Sequence, residues 1–375
     1  MERIFGLGLA RAEGDHPIRL GYSHPSSHGG LRIHCEVEDE LIKSAQIEIG
    51  FMHRGVEALF TERDYRQGVM LASRHDWSGP SGGELAYALA IEDLLGLTPP
   101  ARASWLRIFI CELDRIVSAL TFLSAIPEPK IAPIQRSMNQ HREILAYRLE
   151  KITGARMHHQ VIKVGGVAVD VDEVALSEIA GSLSAIIHEL DWWRENLATS
   201  LLAYRNVGVL DREIALACGA SGIIARASGL PLDIRMSEPY ATYGELDFLT
   251  DRAPQVGGDI PARVASLVIE VELSIAIIDS ATRHLRECVG APIEERTPKV
   301  LRLPEGEAYR NVEGALGASG VALFSDGGRS PTRLRLRTAS VGNLAALEPS
   351  LVGVKVVDLP MLLASWPFLS GDSDR

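Results

Sequence analysis

Two long apolar segments that nevertheless carry charge place the strongest limit on what this chain can fold into. Residues 105–123 and 264–281 are the most apolar stretches, and each holds several charged side chains, Asp114 and Glu270 among them. Charges at this density exclude helices that span a bilayer. Because the first segment is apolar on more than one face, we expect a helix buried between other helices, with Ser104 as its N-cap.

The middle of the chain, from about residue 55 to residue 290, has the pattern of a helical core. Residues 84–95 are rich in strong helix formers, and Gly96 is a typical helix end. Two more helices are predicted, over about 172–196 and about 262–288. Long helices in succession, with irregular connections between them, indicate a central long-helix bundle.

Strands are predicted on both sides of these helices. In residues 17–50, apolar and polar residues alternate with a period of two, as in a half-buried N-terminal hairpin or sheet. Residues 299–340 return to short strands around a turn at 325–328, and an apolar tail follows. This order predicts an α+β fold with a small C-terminal β region and tail over 299–375. We expect residues 1–375 to form a single domain.

The charge balance and the missing nucleotide motifs exclude several functions. The 375 residues carry a formal net charge of −11. This charge argues against nonspecific binding of nucleic acid and against a polybasic grip on anionic lipid, because both depend on clustered lysine and arginine. The sequence has no P-loop and no G-x-G-x-x-G between a strand and a helix, so we do not expect the chain to bind NADH.

The cysteine spacing limits the metal chemistry of this chain. The four cysteines stand far apart, and no two form a C-x-x-C pair. They cannot by themselves hold an iron–sulfur cluster, which takes closely organised thiolates. We expect no disulfide framework and four reduced, mostly buried thiols.

The stretch YSHPSSHGGLRIH, residues 22–34, concentrates three histidines beside a proline and two glycines. Pro25 and the glycines argue against a helix here. No recognised ligand spacing joins His24 and His28 to other histidines, so a metal site is the weakest interpretation. Two others stay open. The histidines either cap a turn or line a cavity in which an imidazole donates a proton.

A series of motifs, taken in order, resembles one known family. The motifs are HPSSHGGLRI, IGFMHRGVEALFTERDYRQ, RHDW, ELAYALAIEDLLGLTPPARA, GARMHHQVIKVGGV, RASGLPLDIR, PYATY, SDGG and the terminal GDSDR. The series is similar, almost from end to end, to the D-type subunits of NADH-quinone oxidoreductases, the 49 kDa subunit family of respiratory complex I. The resemblance implies a fold like that of nickel–iron hydrogenase large subunits, without their nickel, since their two C-x-x-C pairs are missing here.

The resemblance also implies a function, a substrate and partners. In this family the chain forms a quinone chamber, and quinone takes electrons from a [4Fe–4S] cluster held by the adjacent subunit, coupled to proton translocation. The chain itself is then expected to bind no cofactor or metal, with quinone as the substrate. The implied partners are the iron–sulfur neighbour of the B type, a neighbour of the C type and the membrane arm. The implied location is the cell membrane, peripherally, on its cytoplasmic side.

Site residues follow from the resemblance, position by position. His28 is implied as the histidine at the quinone headgroup, and His24 as its companion. Arg54 and Arg74 match arginines near the cluster, where a fixed positive charge favours the reduced state. His158 matches the histidine whose protonation follows the redox state of the cluster.

These positions also have ordinary structural interpretations. The two arginines are equally suited to salt bridges with nearby acids such as Glu57 or Asp76. Without the resemblance, His158 and His159 are typical of a pair at the surface or at a strand edge.

Three positions depart from the family pattern. Trp77 follows R-H-D where the family has a tyrosine, and an indole donates a hydrogen bond but is not a comparable acid. Glu128 stands where the family has an aspartate, in a region one residue shorter, and residues 365–368 lack a second family aspartate. The changes are typical of a divergent second copy. It either retains electron transfer, to quinone or to a different acceptor, or serves as a non-catalytic scaffold with a degenerate site.

Overall fold

The computed structural model describes residues 2–7, 17–20, 29–246 and 255–375, with the backbone alone for 17–20. His24 and His28, the two predicted headgroup histidines, lie outside the described residues. The elements that are described follow the predicted order of strands, helices and strands.

A four-stranded sheet in the order β2–β1–β3–β4 forms the N-terminal part. Its strands are β1 (Glu2–Leu7), β2 (Pro17–Leu20), β3 (Leu31–Glu38) and β4 (Leu41–Glu48). The β1–β2 pair is parallel, and the other neighbours are antiparallel. The predicted alternation is confirmed in β3, where Leu31, Ile33 and Cys35 are buried. The prediction from the sequence did not include β1.

Helices occupy most of the chain from residue 56 to residue 287. They are α1 (Val56–Thr61), α2 (Gly68–His75), α3 (Pro80–Leu95), α4 (Ala101–Ser124), α5 (Ala132–Thr153), α6 (Glu173–Ser200), α7 (Arg212–Ala217), α8 (Gly222–Ala227), α9 (Ile234–Ser237) and α10 (Ile260–Glu287). A small antiparallel hairpin, β5 (Ile162–Lys163) and β6 (Gly166–Val167), interrupts them after α5.

The long helices confirm the predicted helical core, although two of them begin earlier than expected. The helix α4 begins at Ala101 with Pro100 at its N-cap, so Ser104 is not the cap. The Ser104 amide instead donates to the Pro100 carbonyl at 3.1 Å, inside the first helical turn. The helix α3 begins at Pro80, at a position where the missing N–H of proline costs nothing. As predicted, α6 begins beside Asp172, which is its N-cap.

The region after residue 299 is only partly the β region that the sequence predicts. The strands β7 (Glu305–Glu313), β8 (Ala318–Asp326) and β9 (Arg333–Arg337) form an antiparallel sheet. Three helices follow them, α11 (Ala339–Leu351), α12 (Leu359–Ala364) and α13 (Ser370–Ser373). The pattern missed α11 because that helix is apolar on most sides, and missed α12 and α13 because they are too short to show a period.

The core is centred on α4 and α10, which pack along each other. Their charged side chains are buried in pairs. The Arg107 guanidinium contacts the Glu92 carboxylate at 2.6 Å, and Arg235 contacts Glu270 at 3.1 Å. This pairing explains how such apolar segments carry charge in the interior. In the described part of the chain, no helix combines the length and apolarity that crossing a membrane requires.

Candidate functional site

The tail of the chain, residues 370–375, packs against the segment that carries the H-R-G motif. The Met52 amide donates to Asp374 Oδ2 at 2.8 Å. The ring of His53 donates through Nδ1 to the Asp374 carbonyl at 3.0 Å. Two motifs that are far apart in the sequence are thereby held side by side.

The same tail also reaches the R-H-D motif at the end of α2. Nδ1 of His75 lies 3.0 Å from Asp372 Oδ1, and both side chains are buried. The other Asp372 oxygen accepts from the Ser340 amide at 3.2 Å. Burial alone lowers the pKa of His75, but the hydrogen bond and the charge of Asp372 outweigh burial, so the pKa is raised.

A cleft of about 160 Å³ opens where these segments meet. It is lined by Met52, Arg54, Val56, Leu59, Leu71, Arg74, His75, Gly371 and Asp374. The two arginines are solvent-exposed, and within the described residues neither forms a salt bridge with a carboxylate. The cleft therefore presents two unpaired positive charges beside a buried imidazole.

The salt-bridge interpretation of Arg54 and Arg74 is wrong. The carboxylate of Glu57 is bound by Arg335 and Arg375. The buried Asp76 instead accepts hydrogen bonds from the residues after it, including the Ser78 hydroxyl at 2.9 Å. Neither acid neutralises an arginine of the cleft.

The histidine pair 158–159 lies against the other side of α2. His158 is partly buried, and its Nδ1 donates to the Ser73 carbonyl at 2.9 Å, one residue before Arg74. With its proton on Nδ1, a neutral His158 keeps a lone pair on Nε2. His159 is only 4% exposed, so the surface-pair interpretation is wrong for this residue.

His159 was not predicted as a site residue, yet it is clamped between two acceptors. Its Nε2 lies 2.9 Å from Asp114 Oδ1, and its Nδ1 lies 3.0 Å from the Ala155 carbonyl. Both ring nitrogens face acceptors, as a protonated imidazolium requires. Burial lowers the pKa of His159, but the charge and hydrogen bond of Asp114 outweigh it and raise the pKa to about 9.

Glu84, in the first turns of α3, holds the same segment from below. Its carboxylate accepts from the amides of Gln160 at 2.8 Å and Ile162 at 3.1 Å. Burial raises the pKa of Glu84 to about 7. The sequence offered one signal for it, a charge in a helix with apolar residues on most sides, since such a charge has to find a partner inside the protein.

Comparisons with known proteins agree with the motif series. The family model for the 49 kDa subunit of respiratory-chain NADH dehydrogenase matches residues 133–301 and 294–375. The chain belongs to this family. The first of the D-type NADH-quinone oxidoreductase subunits of Streptomyces coelicolor is 38% identical over 100% of this chain and 99% of its own length. The D-type subunit of Dehalococcoides mccartyi is 32% identical over 96% and 98%.

A solved structure shares the fold of this member of the 49 kDa family. It is a chain of the membrane-bound sulfane sulfur reductase, an archaeal respiratory membrane complex. The two chains superpose with a TM-score of 0.88 at 28% sequence identity, over 95% of this chain and 97% of the other. The resemblance inferred from the sequence is thus confirmed at the level of the family.

Two predicted site residues do not line the cleft. Trp77, two residues after His75, is 39% exposed. Glu128 is nearly buried and caps the short 3₁₀ helix Pro129–Ile131, where it accepts from the Lys130 amide at 3.1 Å. This contact explains its position between two prolines, and the catalytic roles expected of both residues stay predictions.

The cleft also meets the end of the histidine-rich stretch. Gly29, which directly follows His28 in the chain, has a φ of +116°. A Cβ at Gly29 would lie 2.8 Å from the Ser370 Cβ, so only glycine fits this contact. Gly29 therefore connects the predicted histidine loop to the tail that lines the cleft.

The four cysteines are free, and Cys35 and Cys111 are fully buried, whereas Cys218 and Cys288 are partly buried. Burial raises the pKa of Cys35 to about 12, which keeps it a thiol. Across 29–246 and 255–375, no group of three or more histidine, cysteine, aspartate or glutamate side chains is arranged to hold a metal ion.

Proposed function

We propose that this chain forms the quinone chamber of an NADH-quinone oxidoreductase, at its interface with a neighbouring iron–sulfur protein. The observation that carries the proposal is the cleft in which the tail joins the H-R-G and R-H-D motifs around two unpaired arginines. We further propose one domain with a fold like that of nickel–iron hydrogenase large subunits. It binds peripherally on the cytoplasmic side of the membrane, beside neighbours of the B and C types and the membrane arm.

The charges of the cleft support a role in electron transfer. Arg54 and Arg74 place two guanidinium groups at its rim without neutralising carboxylates among the described residues. A fixed positive charge stabilises the reduced state of a nearby centre, and low-dielectric surroundings strengthen this effect. In the proposal the neighbour's [4Fe–4S] cluster is that centre, and this chain supplies the field without binding the cluster.

Histidines supply protons to the bound quinone. Reduction takes two electrons and two protons and converts both carbonyl oxygens into hydroxyls. Imidazoles are suited to this task near neutral pH. We assign the headgroup contacts to His28 and His24, following the family, and a redox-linked proton to His158. The indole of Trp77 orients the headgroup by donating a hydrogen bond, and Glu128 is placed too far into a helix cap for us to assign it more than a supporting role.

Exposed apolar side chains near these motifs support a protein neighbour there. Large apolar residues are between 37% and 50% exposed beside each motif, namely Phe51, Met52, Leu59, Met70, Trp77 and Met157. Soluble surfaces rarely leave so many large side chains uncovered beside one site unless a partner covers them. The iron–sulfur neighbour is the partner that the function requires.

An acceptor other than quinone is the second candidate. The structural neighbour is by name a sulfane sulfur reductase, and Trp77 replaces the tyrosine that the family places at the headgroup. Assays with a soluble quinone analogue and with polysulfide, on the same purified complex, separate the two acceptors. A complex that assembles but reduces neither compound would support the scaffold interpretation instead.

The test replaces Arg74 by methionine in the chain assembled with its neighbours. We expect a roughly tenfold or greater loss of acceptor reduction and a lower midpoint potential of the cluster in redox-titrated EPR spectra. Arg63→Met is the matched control, because Arg63 is an exposed arginine from the same region that does not line the cleft. Equal behaviour of the two variants would refute the role of the cleft.

A further inference from the structure

Two glutamates of α3 hold the connection between α5 and the β5–β6 hairpin from the same side. Glu84 accepts from the amides of Gln160 and Ile162, and Glu92, eight residues later, accepts from the amide of Gly165 at 2.7 Å. Residues spaced in this way lie on neighbouring parts of one helix stripe. The backbone that carries His158 is thus fixed from inside the protein by two buried carboxylates.

The two carboxylates differ in their charge compensation. Glu92 is bound by both terminal nitrogens of Arg107, at 2.6 and 3.0 Å. Among the residues that the structure describes, no guanidinium or ammonium contacts Glu84. The ionisable groups that face Glu84 are Asp114 and Cys111 on α4 and His159 in the held segment, and His159 is already paired with Asp114. An ionised Glu84 therefore leaves one uncompensated negative charge in the interior, and a single proton removes it.

We propose that Glu84 is a proton-binding positioning residue for His158. As a carboxylate it holds the Gln160 and Ile162 amides, and on binding one proton from solvent it releases one of them. The proton resides on a Glu84 oxygen, which then becomes a poorer acceptor, and the Asp114–His159 pair is unchanged. The inference deepens the proposed function, because it rests on His158 serving that site.

The geometry of the segment makes this hold consequential. Gln160 has a φ of +51°, a left-handed conformation that costs a non-glycine residue free energy and persists only when its surroundings impose it. His158 lies two residues earlier and is held on its other side by the Ser73 carbonyl. Loss of an amide bond at Gln160 or Ile162 therefore loosens the backbone next to the imidazole. The raised pKa of Glu84, about 7, puts the switch in the neutral range.

The test is amide hydrogen exchange of the full chain from about pH 5.5 to about pH 8.5, corrected for intrinsic exchange. We expect protection at Gln160 or Ile162 to rise roughly tenfold as Glu84 ionises, while Gly165, held by the charge-paired Glu92, stays constant. Protection at Gln160 and Ile162 that does not change with pH in the wild-type chain would overturn the proposal. Because this comparison needs no variant, it survives a substitution that fails to fold.

Variants add an independent arm. Glu84→Gln is expected to show low, pH-independent protection at one of its two amides, whereas Glu92→Gln lowers protection at Gly165 and leaves the pH dependence at residues 160–162 intact. In the assembled complex, Glu84→Gln is expected to flatten the pH profile of acceptor reduction near pH 7. A pH-dependent hold in a chain that reduces no acceptor would sustain the switch and refute the proposed function. An unaltered pH profile with a confirmed hold would restrict Glu84 to a structural role and overturn its link to the site.

Discussion

Nδ1 of His75 lies 3.0 Å from Oδ1 of Asp372, a residue 297 positions later in the chain. The pair joins the end of α2 to the tail, and the other Asp372 oxygen fixes the start of α11 through the Ser340 amide. The tail is therefore part of the interior, and residues of the cleft depend on it for their position.

Replacement of Asp372 by asparagine is expected to destabilise the protein by about 3–5 kcal/mol, because it removes one charge of a buried pair. Urea unfolding at constant pH measures this change in the free energy of unfolding. The exposed Asp191, which contacts Arg194 at the surface, provides the control, and Asp191→Asn is expected to cost about 0.5 kcal/mol or less. Comparable costs for the two variants would show that the tail is not held by His75.

The His159–Asp114 pair predicts a pH dependence of stability with a definite sign. The folded-state pKa of His159, about 9, exceeds its ordinary value of 6.5, so the folded state binds the proton more tightly. The stabilisation is complete below pH 6.5 and is lost as the pH rises through about 9. Urea unfolding at several pH values tests this. In His159→Gln the fall in stability over that window should be reduced, and a wild-type slope in the variant would contradict the assignment.

Substitution of Gly29 by alanine is expected to cost roughly 2–4 kcal/mol, because the new Cβ meets Ser370 and the backbone keeps a positive φ. Gly50 is a matched control, since its φ is +109° and a Cβ there has nothing within 4 Å. The difference between Gly29→Ala and Gly50→Ala in thermal unfolding isolates the contact with the tail. Equal costs would mean that backbone strain alone accounts for the effect.

Two fully buried arginines should respond differently to removal. Arg263 has no carboxylate in contact within the described residues and lies 4.6 Å from the Trp366 ring centroid, and burial lowers its pKa to about 9. Arg235 contacts Asp233, Glu112 and Glu270. Arg263→Met is expected to cost about 1–3 kcal/mol, from lost hydrogen bonds alone.

Arg235→Met is expected to cost more than Arg263→Met, because it leaves three buried carboxylates without this partner. Chemical unfolding of both variants tests the order. The opposite order would show that the Trp366 ring, in the stretch that lacks the family aspartate, carries more of the stability than the ion pairs do.

Local pattern predicted the long helices and β3 because their apolar residues repeat with the period of one buried face. It failed at α11, which is buried on most sides and has no such period. The site residues implied by the family motifs lie at H-R-G, R-H-D and M-H-H-Q. His159 resembles a surface residue in the sequence because its partner, Asp114, is 45 residues away. Long-range pairs of this kind are set by helix packing, which a single sequence does not display.

The position of the tail has a consequence for biogenesis. Residues 370–375 leave the ribosome after all the other described residues, so the cleft is the last of the described regions that can close during synthesis. Chains that stop before residue 370 present Arg54 and Arg74 without Asp372 and Asp374 behind them. A partner that binds this face therefore selects chains that carry the tail over shorter ones, and the assembly step itself proofreads the subunit.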